Sequence, residues 1–445
     1  MGLGLSAELC LGRGFGGGTR VVGVVSSDDV YTGSEAHWEY INEGGLNMLL
    51  RYEGTNKDLF GRVLRLRKGE GSNGRLQEDS RFQSNVILPI LDRFVDFGSM
   101  VQLDKAVVQK LNTDGSIQSS RHADRLSAKV KDLDTSNAGT EGSNILGMLC
   151  PDLTYCPDGV SYEIKLKSGV EECSDLGISR FTFLQCHDYP KKRDTLSRYN
   201  PVELFQAVLQ GDAARLKAQL VHLRTASADQ KQNNFRLLSG GEPSKVSDLD
   251  LEKLGEVLLK SPELFARLRA LDFLAAGEVT EATAKRLYDA AGCPQGLSAT
   301  HFEEAYSGYG KALLERLQAT QDDDECMRVV STAYEGMKPE LGLALFLLGR
   351  TSHDVSLIVN VRSRRPGEAQ DVFTSLRYSE VNSAGLWGRL TVIDTDIKPA
   401  DRMPDYCQQL TEYRNHKNAK PLVDCVKGGG SVDEGLKAVQ KALKR

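Results

Sequence analysis

The chain has 445 residues and a mass of 48.9 kDa, a length that predicts two or three domains. Charged residues make up 26% and the hydrophobic set 40%, ordinary globular proportions that exclude a fully disordered or fibrous chain. Acids outnumber bases 61 to 56, a net charge of −5, so no nucleic-acid partner is expected, and any anion site must be a local concentration of Lys and Arg. No stretch approaches the roughly 18 apolar residues of a membrane span. The longest apolar run, Leu341 to Leu348, predicts a core helix or strand. Nine cysteines form no C-x-x-C pair, which predicts reduced thiols and gives no support for structural zinc.

Residues 1–33 are glycine-rich with little to bury, and predict a loosely ordered leader without the apolar run of a signal peptide. Gly12, Gly14 and Gly17 match the dinucleotide fingerprint literally, but no strand precedes them. From Trp38 the character changes. Tyr40 to Tyr52 predicts strand, glycine turn, strand, and Arg62–Arg67 a further strand by its alternation. Asn85–Leu91 and Met100–Val108 are strand or short-helix candidates, and this sheet-rich part closes near Leu146. Strand Val160–Lys167 follows, then a helical stretch from Pro201 to Leu223 and a helix-rich block from Leu249 to Gln318. Strand patterns return at Val355–Val361 and Arg389–Ile397, and a helix is expected from Pro404 to about Asn415.

Three segments put charge on an otherwise apolar strand. In Val160–Lys167 the two-residue period sends Tyr162, Ile164 and Leu166 one way and Glu163, Lys165 and Lys167 the other. Stacked lysines repel unless an anion lies between them, although an exposed, solvated face is an equal alternative. Asp394 and Asp396 share a face after a hydrophobic strand, as hard-oxygen ligands for Mg²⁺ do, and Lys398, Arg402 and a helix start follow directly. Acid pair, cations and helix start together point to phosphoryl transfer. Asp354 opens the strand Val355–Val359 and reads from its position as a turn aspartate. Asn233, Asn234 and Arg236 form a polar loop whose amide and guanidinium donors could meet an anion. P-loop, G-x-S-x-G and H-E-x-x-H motifs are absent, and Asp96-Phe97-Gly98 has no preceding H-R-D, so it is not a kinase metal motif.

In order along the chain, these segments resemble the inositol-pentakisphosphate 2-kinase family. Trp38 to Asn47 is similar to its W-x-Y-x-x-E-G-x-x-N loop, and Glu163-Ile-Lys-Leu-Lys167 to its E-I-K-P-K, with Leu166 replacing the proline. Ser179-Arg180-Phe181, Gln232 to Arg236, Ser352 to Ser356, and Ile393 to Pro399 with Arg402 and Tyr406 complete the likeness. The resemblance implies an α+β, two-lobe inositol-phosphate kinase fold distantly like protein kinases. Its sheet-rich N-lobe would occupy 34–147 and its larger, helix-rich C-lobe 148–445, with a helical block at 200–345. It implies ATP and Mg²⁺ as cofactors and phosphorylation of the 2-hydroxyl of inositol 1,3,4,5,6-pentakisphosphate to give the hexakisphosphate, phytate. A catalytically weak, inositol-polyphosphate-binding pseudokinase is the alternative.

By position, Gly44, Gly45, Asn47 and Arg65 would bind ATP, and Asp394 and Asp396 the metal. Asp354 would accept the hydroxyl proton, with Lys165 beside the reacting oxygen. Lys165, Lys167, Arg180, Asn233, Asn234 and Arg236 would cradle the inositol phosphate together with Lys398, Arg402 and Tyr406. The family's basic positions after Ser179-Arg-Phe are Leu184 and Asp188 here, and Cys293 stands alone where plant members carry a zinc site. A monomer in the cytoplasm or nucleus, not secreted, is expected.

Overall fold

The fold comes from a computed structural model that describes residues 21–25, 31–32, 35–43, 47–56, 59–68, 72–103, 105–120, 145–156, 158–172, 176–191, 195–227, 234–363, 378–382 and 385–443. Their secondary structure is mixed α and β, arranged as two compact units. The first contains the described residues between 21 and 88 and between 95 and 155; the second contains 89–94, 156–363 and 378–443. The chain passes between them at Tyr155–Cys156, later than the boundary drawn at 147, because Ile145–Pro151 is a central strand of the first sheet.

The first unit holds a six-stranded sheet of order β1-β7-β8-β6-β5-β4. Its strands are β1 (Val21–Val25), β4 (Trp38–Glu43), β5 (Asn47–Tyr52), β6 (Arg62–Arg67), β7 (Ser99–Leu103) and β8 (Ile145–Pro151). A two-stranded ribbon, β2 (Tyr31–Thr32) and β3 (Glu35–Ala36), precedes β4. All neighbours in the six-stranded sheet are antiparallel except β1 with β7. β1 lies within the segment expected to be a loose leader: Val21-Val-Gly-Val-Val25 is β-branched enough to pair. Residues 1–20 lie outside the described set. One face of the sheet is closed by Trp38, Met48, Leu50, Leu64, Leu66 and Leu103. Asn85–Leu91 is helical rather than strand, a π turn at Gln83–Ile87 followed by a helical turn at Leu88–Leu91.

The second unit holds an antiparallel sheet of order β11-β10-β9-β12-β14-β13. Its strands are β9 (Gly159–Lys165), β10 (Phe235–Ser239), β11 (Glu242–Ser244), β12 (Ser356–Ser363), β13 (Ser379–Glu380) and β14 (Leu386–Ile393). Tyr162, Ile164, Leu357, Val359 and Val392 are buried on one face, against which helix Asp248–Leu259 packs. The other face carries a polar row: Asn360 Nδ2 donates to Ser161 Oγ at 2.7 Å, and Arg389 Nε donates to Asn360 Oδ1 at 3.0 Å.

The expected helices are present, with breaks set by local chemistry. The stretch from Pro201 divides into Pro201–Gln210 and Ala213–Ser227 because Gly211 caps the first with φ 69°. Helix α1 (Arg180–Asp188) starts on a Ser179 side-chain cap. In the helical block, α2 (Pro262–Phe273), α3 (Glu278–Ala290) and α4 (Pro339–Ser352) matter most for the site. α4 contains the apolar run Leu341–Leu348, fully buried. The helix expected at 404–415 is instead one turn, Met403–Tyr406, and then α5 (Gln409–Asn415). No described helix is long and apolar enough to cross a membrane.

Candidate active site

The second sheet brings the predicted polar residues to one end. Ser356 pairs with both Lys165 and Ile393, and Phe235 pairs with Ile164. The end of β9, the start of β10, the start of β12 and the end of β14 therefore coincide. Lys165 and Lys167, Asn234 and Arg236, Asp354, and Asp394, Asp396 and Lys398 leave the sheet there, although they are far apart in sequence. Lys165 N donates to the Asn234 carbonyl at 2.9 Å, continuing the β9–β10 pairing to the sheet's edge.

β9 stops at Lys165, two residues before the expected end, because Lys167 has φ 66°. Asp394, the residue after β14, has φ 64°. Two non-glycine residues in the left-handed region cost about 1–2 kcal/mol each, and both lie at this edge.

Asp354 follows α4 and precedes β12, and its side chain is 60% exposed. Lys398 Nζ donates to Asp354 Oδ2 at 3.1 Å. Desolvation raises the Asp354 carboxyl, but Lys398, Lys167 and Arg350 outweigh it and hold the group well below the usual carboxylate range. Asp394 is different. Desolvation raises it, the 2.8 Å hydrogen bond from Ser356 Oγ opposes that, and Asp396 and Glu163 push it up further. This edge thus has one cation-rich carboxylate and one carboxylate crowded by other acids. Asp394 and Asp396 fit Mg²⁺, a hard cation that takes one or two carboxylates and fills its remaining positions with water and phosphate oxygens. Among the described residues no group of three or more His, Cys, Asp or Glu side chains could hold a metal by itself.

Other expected site residues have partners within the protein. Arg236 Nε donates to Glu163 Oε2 at 3.0 Å, so this half-buried guanidinium is neutralised across the β9–β10 pair. Arg402 is exposed, with Cζ 5.4 Å from the Tyr406 ring centroid and NH2 3.4 Å from Asp405 Oδ2. Tyr406 is buried and has Arg350 Cζ 5.0 Å from the same centroid. The helix start expected after Arg402 is a single turn, Met403–Tyr406, too short to offer an anion the N-terminus of a helix.

Arg180 departs most from expectation. It is 6% exposed and makes four hydrogen bonds: Nε to Glu172 Oε2 at 2.7 Å, NH2 to Glu172 and to Glu281 Oε1, and NH1 to Gln409 Oε1. Burial lowers its pKa, the two glutamates more than reverse that, and its donors are spent on these two carboxylates and the Gln409 amide. Arg180 therefore belongs to a buried ion cluster and not to an inositol-phosphate cradle. Gln409 also accepts from Arg350, whose NH1 lies 3.2 Å from His353 Nδ1. The sequence did offer a signal for this cluster: Arg350 follows the long apolar run of α4, where a charge persists only if paired.

In the first unit, Gly44 and Gly45 lie outside the described residues, as does Asn233 in the second. Asn47 opens β5, with its Oδ1 buried and without a hydrogen-bond partner among the described residues. Arg65 lies on β6 opposite Leu49 and Met148. Lys68 Nζ donates to Glu43 Oε2 at 2.7 Å, with both side chains buried. This pair, absent from the sequence reading, fixes the last residue of β4, immediately before the glycine pair, to the residue following β6.

The model of the inositol-pentakisphosphate 2-kinase family matches residues 40–412. An inositol-pentakisphosphate 2-kinase of Oryza sativa is 23% identical over 435 residues, covering 85% of this chain and 92% of that protein. The one from Arabidopsis thaliana is 23% identical over 457 residues, covering 85% and 93%. The one from Cryptococcus neoformans is 26% identical over 239 residues, covering 48% of this chain and 53% of that protein.

Proposed function

The chain belongs to the inositol-pentakisphosphate 2-kinase family, and on that premise we propose that it transfers the γ-phosphoryl group of ATP to the 2-hydroxyl of inositol 1,3,4,5,6-pentakisphosphate, giving the hexakisphosphate. The observation that carries this reading is the meeting of Asp354, Lys398, Lys165, Lys167 and the Asp394–Asp396 pair at one sheet end. A substrate with five phosphates needs cations in an acidic protein, and this edge concentrates them. The two units would be the nucleotide-binding and inositol-phosphate-binding lobes of a kinase-like fold.

Phosphoryl transfer passes through a loose transition state, in which positioning and charge neutralisation do most of the work. Asp354 would accept the proton of the attacking hydroxyl. Its carboxyl is held low, so it is a weak base that takes the proton late, once the hydroxyl has become acidic through bond formation. Lys398 orients that carboxylate and is placed to meet a substrate phosphate as well. Lys165 at the end of β9 and Lys167 just beyond it would supply cations, while Asn234 just before β10 and Arg236 on it would supply donors. Asp394 and Asp396 would hold Mg²⁺, which when bound would neutralise charge on the transferring phosphoryl oxygens. In the first unit, Gly44, Gly45, Asn47 and Arg65 would bind the nucleotide. The cytoplasm or nucleus as its compartment, and a monomeric state, rest on the family likeness alone.

The test is incubation with Mg-ATP and inositol pentakisphosphate, with products resolved by anion-exchange chromatography. Stoichiometric ADP and hexakisphosphate are expected. ADP without hexakisphosphate would contradict the assignment.

A further inference from the structure

Asp272, near the end of α2, takes no part in the chemistry above. It is 1% exposed, and its two carboxylate oxygens are divided between two segments. Oδ2 accepts the backbone N–H of Gly169 at 2.7 Å, and Oδ1 lies 2.6 Å from the Ser352 hydroxyl, whose one proton is shared with the Gly349 carbonyl at 2.7 Å. Gly169 lies two residues after Lys167, and Ser352 two residues before Asp354. One buried carboxylate from a neighbouring helix therefore ties the segment carrying the lysines to the segment carrying the candidate base.

The surrounding packing presses both segments onto that carboxylate. A Cβ at Gly169 would stand 2.4 Å from the Phe205 ring, so a side chain at that position would collide with it. A Cβ at Gly349 would stand 2.8 Å from Ala275 N, which puts α4 in direct backbone contact with the end of α2. His353 Nε2 lies 3.3 Å from the Asp272 carbonyl oxygen, a second contact to the turn leading into Asp354. A buried carboxylate is expensive unless fully hydrogen-bonded, and burial raises this one to about 7 against the pull of its two donors.

We propose that Asp272 is a positioning residue that clamps Gly169 to Ser352 and thereby sets Asp354 relative to Lys165 and Lys167. The proposal rests on the kinase reading, since it gives those three groups a shared task. Catalytic groups must be held to about half an ångström, and an error near 1 Å costs on the order of a hundredfold in rate. Asparagine at 272 keeps the shape but can accept from only one of the two donors and turns an N–H₂ towards the other.

The experiment compares wild type, Asp272→Asn, Ser352→Ala and the double variant by steady-state kinetics and by hydrogen–deuterium exchange at the Gly169 amide. Each single variant is expected to lose roughly tenfold or more in kcat, with KM for both substrates within about threefold. The double variant should be no slower than the slower single one, because either change opens the same clamp. The Gly169 amide should exchange faster in Asp272→Asn. If that variant does not fold, Ser352→Ala carries the kinetic test alone. A folded Ser352→Ala enzyme with wild-type kcat, or one whose loss lies in KM, overturns the proposal. If wild type itself makes no hexakisphosphate, the kinase reading fails, and unchanged Gly169 exchange in Asp272→Asn separately overturns the clamp.

Discussion

The 3.1 Å contact between Lys398 and Asp354 makes the chemistry at this edge testable one residue at a time. Lys398 leads the cations that hold the Asp354 carboxyl low, so Lys398→Ala should let it rise towards the ordinary range. Asp354 is ionised, and able to act as base, only above its pKa. The acid limb of the pH–rate profile should therefore move to higher pH in Lys398→Ala, while KM for inositol pentakisphosphate rises by a charge-assisted bond, about 1.5–3 kcal/mol. An unmoved limb would separate Lys398 from the base. If Asp394 holds Mg²⁺ for ATP as proposed, Asp394→Asn should abolish turnover and leave inositol-polyphosphate affinity within about twofold, as measured by calorimetry. Weakened inositol-phosphate binding would place Asp394 on the other ligand. Arg180 tests the buried cluster. Arg180→Met leaves Glu172 and Glu281 buried without their partner and should cost about 3–5 kcal/mol of stability by urea unfolding. A stable Arg180→Met protein with a raised KM would return Arg180 to the substrate. Sequence motifs identify which residue types are present at such positions. They do not show that a guanidinium turns inward to two glutamates supplied by the segment before α1 and by α3.

At the scale of elements, strand order turns eight separated residues into one edge, and helix packing then fixes two of its segments. Period-two alternation made β5 and β6 legible, because each has one face in a core, whereas β9, β12 and β14 are buried on both faces, and β12 and β14 were legible as short apolar runs. Their ends were less legible. β9 ends where Lys167 turns left-handed, and the C-terminal helix breaks after one turn at Tyr406; neither follows from hydrophobic period. β1 was hidden for the opposite reason: its valines stand next to a glycine-rich run that dominates local composition. Packing of α2 against α4 also places two perturbed groups side by side, with opposing effects on stability. Burial raises Asp272 from 3.8 to about 7, so the folded state binds the extra proton and stability falls as pH rises through that window. Burial lowers His353 from 6.5 to about 3, so the unfolded chain binds the extra proton and stability grows as pH rises through that window. Between about pH 4 and 6.5 the two slopes oppose each other. Asp272→Asn removes the first, so its urea midpoint should climb more steeply with pH there than that of wild type. Parallel curves would show that Asp272 stays ionised in the fold.

For the molecule as a whole, an acidic chain assembles a local cluster of cations through topology rather than through composition. The polar segments were legible as candidates because each breaks an apolar pattern. Their convergence was not legible from spacing, since Lys165 and Asp394 meet only through the pairing of β9, β12 and β14. The buried support beneath them, with Asp272 and the Glu43–Lys68 pair, was invisible for a related reason: its partners come from segments distant in sequence. The most direct test of the central claim is ³¹P and ¹H NMR of the product made from inositol 1,3,4,5,6-pentakisphosphate and Mg-ATP by wild type and by Asp354→Asn. Wild type should yield a sixth phosphate on the axial 2-oxygen, and Asp354→Asn should yield it at least roughly a hundredfold more slowly. No new phosphate ester at that position, or equal rates from the two proteins, would contradict the assignment of Asp354 as the base of an inositol 2-kinase.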